Sequence, residues 1–170
     1  MREFLLKHSP PGVDIEVERN WFIGGLICAW IYSTGFLFRF SWAKNALYEY
    51  RQGMRIRLLP DAMVPDFTEL LGRSLYGFYV LALMMIGVIL LHYASHWQGS
   101  KSIYLMRRLP SRWELHRRCI LLPVLAMGIS LAAAGLTLAV YFAAYMLTTP
   151  DGCLPPDQWQ KLWSVLLCSN

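Results

Sequence analysis

Charge is scarce in this chain. Only 16% of its 170 residues are Asp, Glu, Lys or Arg, and 56% are hydrophobic, whereas soluble domains carry roughly 25% charged residues. The deficit argues for a chain that meets lipid. Metal-type cysteine spacing is missing too. Cys28, Cys119, Cys153 and Cys168 include no C-x-x-C, so neither a zinc knuckle nor a dithiol motif is written. There is no G-x-x-x-x-G-K-[ST], hence no P-loop to hydrolyse ATP. No G-x-S-x-G sets up a nucleophile, and no acid lies inside the long apolar runs to form a proton relay. A cleavable signal is not expected: MREFLLKHSPPG has three consecutive apolar residues, where ~7–15 are needed. These gaps point to a membrane protein that is not an enzyme and carries no cofactor.

What is present is three long stretches without charge. They are residues 20–38, 74–95 and 119–149, and each reaches the roughly 20 helical residues that cross a ~30 Å hydrocarbon core. The expected fold is all-α, with three transmembrane helices plus interfacial and coupling-like helices. Residues 1–19 form an N-terminal interfacial segment, 20–149 the transmembrane region and 150–170 an amphipathic tail. The third run is too long for one perpendicular span, so it must tilt, kink at Pro123 or begin as an interfacial turn. Gly24, Gly25, Gly128, Ala132, Ala133, Ala134 and Gly135 collect on the spans. Such small residues allow close helix contact, within the chain or with a further membrane subunit or second copy.

Between the spans, residues 40–73 can continue the first helix as far as Gln52. They then turn basic, pass two prolines and restart at Asp66, with Glu69 three residues on in a capping-box pattern. In the tail, Trp159, Leu162, Trp163, Leu166 and Leu167 make a one-sided apolar stripe suited to a membrane interface. Cys28 and Cys119 read as buried span residues; Cys153 and Cys168 share the tail and can pair if it faces an oxidising compartment. His92 and His96 lie four apart, but no third ligand is evident, so no metal site is expected. Tyr32, Ser33, Thr34, Ser130 and Thr137 are the polar span residues, better suited to helix–helix or i−4 bonds than to a substrate path.

Basic residues flank the apolar runs, which makes anionic lipid a more economical partner than nucleic acid. Residues 94–118 carry a net +5 and the N-terminal 20 residues −1. Three spans put the N-terminus and the 94–118 loop on one side. That side holds nine Lys and Arg against seven on the other, and the positive-inside rule makes it cytoplasmic in a plasma membrane. Arg117 and Arg118, at the mouth of the third run, fall at the level of lipid phosphates.

The densest basic stretch is QGSKSIYLMRRLPSRWELHRRC, residues 98–119. Gly99 allows a sharp exit from the second span and Ser100 can cap a short helix. Pro110 ends that helix, and a second starts at Pro110 or Ser111. The stretch resembles the element between the second and third helices of ABC-type exporter permeases of the second class. The likeness rests on Gly99-Ser100, Leu105-Met106, Leu109-Pro110, Ser111-Arg112 and Glu114-Leu115, and the order of parts resembles the first half of such a permease. The family's usual Glu before the Gly-Thr is missing; His92, His96 and Trp97 stand there instead. The resemblance implies a short, half-size membrane subunit of an export complex. Its docking surface for an ATP-hydrolysing ABC subunit would comprise Gly99, Ser100, Tyr104, Leu105, Arg107, Arg108, Leu109, Pro110, Arg112 and Glu114. The alternative is a small accessory or immunity-type membrane protein that binds a membrane partner and moves nothing.

Overall fold

The computed structural model describes residues 14–51, 54–58, 62–97, 112–150 and 152–166. The fold is all-α in class. In chain order the helices are α1 (Ile15–Ser33), α2 (Gly35–Ala46), α3 (Phe67–Leu71), α4 (Tyr76–Trp97), α5 (Arg112–Thr148) and α6 (Gln158–Leu166). A short antiparallel hairpin, β1 (Tyr48–Arg51) and β2 (Met54–Leu58), follows α2. Among the described residues, three helical stretches are long and apolar enough to cross a membrane: Ile15–Ala46, Tyr76–Ala94 and Cys119–Thr148. Their large apolar side chains, such as Ile27, Phe38, Leu83, Leu91, Leu136 and Leu147, are exposed. That is how a chain solvated by acyl chains is built.

The first helix ends earlier than the sequence suggests. It stops at Ala46, and Tyr48–Arg51 pairs with β2 instead of extending the helix towards Gln52. The run YEYR followed by MRIRL is rich in Tyr and alternates in character, which favours a pleated pair. A bulge between Glu49 and Tyr50 shifts the register, with Glu49 opposite Arg57 and Tyr50 opposite Arg55. Between α1 and α2, Thr34 donates its hydroxyl to the Ile31 carbonyl at 2.7 Å. This local bond competes with the helical ladder and marks the one-residue break.

The third apolar run is part of a single 37-residue helix. Where the sequence starts a helix at Pro110 or Ser111, α5 begins at Arg112 and runs unbroken through Pro123 into the third apolar run. At ~1.5 Å per residue it is about 55 Å long, well beyond the hydrocarbon core, so its basic head lies outside the span.

The chain divides into two compact units. The first holds Met1–Trp30 and Gly77–Ala134, the second Ile31–Tyr76 and Gly135–Asn170. In the first, α1 and α4 meet through small residues. A Cβ on Gly77 would stand 3.0 Å from the Ala29 Cα, and one on Gly25 would stand 2.7 Å from the Leu81 Cδ1. Gly25 and Ala29 are one turn apart, as are Gly77 and Leu81, so two small steps let the helices close. Gly24, Gly128 and Gly135 have open space around them and take no part in this contact. Of the two cysteines expected inside, Cys119 is buried whereas Cys28 is exposed; an apolar environment of lipid satisfies a thiol as a protein interior does.

The second unit has an aromatic core. Phe36 stacks on Tyr141 with centroids 4.6 Å apart and meets Phe67 edge-on at 5.5 Å. Phe67, fully buried, also packs edge-on against Phe142 and Tyr145. Phe40, Leu47, Val64, Leu70, Cys153 and Leu162 complete the cluster.

Candidate functional site

Two polar constellations emerge, one in each unit, and both grow from a backbone group that the sequence leaves without a local partner.

In the first unit the cause is Pro123. Proline has no N–H, so the carbonyl four residues earlier loses its helical donor. That carbonyl belongs to Cys119. It is filled from outside the helix: His92 Nδ1 on α4 lies 3.2 Å from the Cys119 oxygen. A carbonyl can only accept, so Nδ1 carries the proton. The other ring nitrogen, Nε2, meets the Glu18 carboxyl of α1 in a close hydrogen bond. With Nδ1 committed as donor, the contact needs one proton held between Nε2 and the carboxyl, either as an imidazolium–carboxylate pair or as a neutral pair. His92 is 3% exposed; a side chain so buried must have its polar atoms engaged, and it ties α1, α4 and α5 at one point. One turn nearer the head of α5, the Tyr93 hydroxyl bonds His116 Nδ1 at 2.8 Å, a second link between α4 and α5.

In the second unit the short helix α3 needs a cap. The sequence offers Asp66 with Glu69 as a capping box. Asp66 does take the N-cap position, with φ −54° and ψ 143°, but its side chain makes no cap bond. The role passes to Gln158 of α6, whose Oε1 accepts from the Phe67 N–H at 2.9 Å. The same amide donates to Asp66 Oδ1 at 2.8 Å, and Lys161 Nζ reaches both Asp66 oxygens at 2.9 Å. Lys161 and Gln158 together hold the Asp66 carboxyl below its usual range. Tyr145 donates to the Pro65 carbonyl at 3.1 Å and Val64 N–H to the Cys153 carbonyl at 3.0 Å. The tail helix is therefore bonded to the 62–71 segment, and its Leu162 is buried while Trp159 and Trp163 stay exposed.

Of the residues singled out for partner docking, Gly99, Ser100, Tyr104, Leu105, Arg107, Arg108, Leu109 and Pro110 lie outside the described residues. Arg112 and Glu114 fall in the first turns of α5. Arg117 is exposed on that helix and Arg118 is part of it. Cys168 also lies outside the described residues, while Cys153 is buried in the aromatic core. Of the polar span residues, Ser33, Ser130 and Thr137 are buried, whereas Tyr32 is exposed. Ser33 bonds the Tyr141 hydroxyl at 3.0 Å, and Ser130 donates to the Phe78 carbonyl at 2.9 Å. Among the described residues no three His, Cys, Asp or Glu side chains gather to hold a metal.

No family model, curated protein or solved structure matches this chain.

The sequence reading missed the Glu18–His92–Cys119 tie. A signal for it existed: a proline deep in an apolar run frees a carbonyl four residues back, and a lone His on a neighbouring span is a donor able to reach it.

Proposed function

We propose that this chain is the membrane subunit of an ABC-type export complex, docking a partner ATPase through residues 99–114 and passing its movement to the membrane helices. The observation that carries the reading is the continuity of α5. The helix runs without a break from Arg112, inside the basic stretch, into the third apolar span, so a force on its head moves the span as one rod. The Tyr93–His116 and His92–Cys119 bonds attach the end of α4 to that same head. Both spans that flank the basic stretch are thus engaged where it is anchored. On this reading the N-terminus and the basic stretch face the cytoplasm of a plasma membrane, and Arg117 and Arg118 rest on lipid phosphate. Further permease subunits or a second copy complete the pathway.

A second reading, an accessory or immunity-type protein that binds a membrane partner without transport, is favoured by one observation. The hydroxyls of Ser33, Tyr141 and Ser130 are spent on each other and on backbone, which leaves them unavailable to line a polar route.

The two readings part in a co-purification. The tagged chain, extracted in mild detergent, is expected to bring down a stoichiometric P-loop ATPase. Changing Arg107 and Arg108 together to Glu should abolish that association while membrane insertion persists. Recovery of a non-ATPase membrane partner instead would move the accessory reading to the front, and an ATPase still bound to the double variant would end the docking assignment.

A further inference from the structure

The Glu18–His92–Cys119 node asks one imidazole to serve two acceptors. The Cys119 carbonyl takes the Nδ1 proton, and the Glu18 carboxylate needs a second proton at Nε2. Remove that second proton and a neutral ring has one N–H for two oxygens, so one tie must break. The surroundings choose which. Cys119 is fully buried, and Pro123 supplies its carbonyl with no helical donor; losing His92 would strand a buried acceptor. The Glu18 side chain is 31% exposed against 4% for His92, so water can take the place of the ring at the carboxylate. The proton therefore stays on Nδ1, and the Nε2 lone pair is left facing a carboxylate, acceptor against acceptor. The bond lost is the one to α1, while α4 and α5 stay tied. Around this node α1 also carries Asp14, Glu16 and Arg19, all exposed. On α5, His116 is bonded to the Tyr93 hydroxyl of α4, Arg117 is exposed with Arg118 next to it, and the buried Cys119 thiol stands beside the bonded carbonyl. His96 follows His92 by about one turn of α4.

We propose that Glu18 and His92 form a proton-operated clasp: the proton they share holds α1 against α4 and α5, and its loss to water frees α1 while α4 and α5 remain joined. The proton leaves through the exposed side of Glu18. A further proton on the carboxyl at low pH still leaves Nε2–H an oxygen to donate to, so the clasp opens on the alkaline side. It is a property of this chain alone and does not depend on any ATPase.

The test is a distance measurement between spin labels at Val17 on α1 and Leu90 on α4, both exposed. It uses the full chain in lipid nanodiscs, with its four cysteines changed to Ala. Raising the pH is expected to turn one short distance into a longer, broader one, the closed-to-open ratio falling about tenfold. Glu18→Gln fits the same space, and its carboxamide can accept from Nε2–H or donate to the bare Nε2, so the distance should stay short at every pH. Glu18→Ala should give the open distance at every pH. His116→Gln removes the other bonded imidazole at this end and should leave the transition in place. Circular dichroism reports whether each variant folds, and either Glu18 variant decides the matter without the other. A distance that ignores pH in the labelled chain would overturn the clasp. So would a transition that persists in either Glu18 variant, or one that vanishes in His116→Gln.

Discussion

The two units of this chain are stabilised by opposite means. The second is dense with rings: Phe36, Phe40, Phe67, Tyr141 and Tyr145 are all buried in one cluster, and adjacent segments are bonded to it by Gln158, Lys161 and Tyr145. The first has few large buried side chains. Its helices close through Gly25, Ala29 and Gly77, and a single polar node, Glu18–His92–Cys119, ties three helices. The difference follows from the solvent. In acyl chains apolar burial between helices gains little, so close backbone packing and hydrogen bonds carry the association. In the second unit α3 and α6 pack against two span helices, and rings from both sides, Phe36, Phe40, Tyr141 and Tyr145 of the spans and Phe67 of α3, share one cluster.

The largest expected effect tests the ring-built unit. Phe67→Ala empties its centre and should cost about 3–5 kcal/mol, read as a lower midpoint in thermal unfolding followed by fluorescence of Trp159 and Trp163. A loss below about 1 kcal/mol would mean that the rings do not bear the unit's stability. The next effect tests the polar node. His92→Ala leaves the Cys119 carbonyl without a donor and should cost about 1–3 kcal/mol. Pro123→Ala restores an N–H four residues on, so the double variant should lose clearly less than His92→Ala does in the Pro123 background. Strict additivity in that double-mutant cycle would refute the account of Pro123 as the origin of the site.

The smallest effect is electrostatic. Because Lys161 and Gln158 lower the Asp66 pKa, the stabilisation is fully present above the ordinary carboxylate range. It is lost as pH falls through the lowered pKa. The pair is partly exposed, with side chains 42% and 35% accessible, so it is worth at most about 1 kcal/mol. Acid titration of the unfolding midpoint should show this loss, and Asp66→Asn should remove it. An identical acid response in the Asn variant would place the effect on another group.

Much of the membrane architecture was legible from residue order. The charge-free runs became helices near the expected positions, and the stripe of Trp159, Leu162 and Trp163 became α6. Other features were not legible, for identifiable reasons. The end of α2 at Ala46 was missed because YEYR can extend a helix or pair with MRIRL, and only the partner strand decides. The cap of α3 was misassigned because Asp66 satisfies the local capping pattern, yet a lysine and a glutamine 95 and 92 positions away offered its carboxylate better partners.

By itself, then, the sequence determined the three apolar helices, the absence of charge within the three apolar runs and the basic stretch that leads into α5, because length and hydropathy suffice to partition helices into lipid. Tertiary structure decided which glycines touch, which hydroxyls are spent internally, and where the proton of His92 points. Those depend on distances between segments remote in the chain, and a carbonyl freed by Pro123 names its need without naming the donor that meets it.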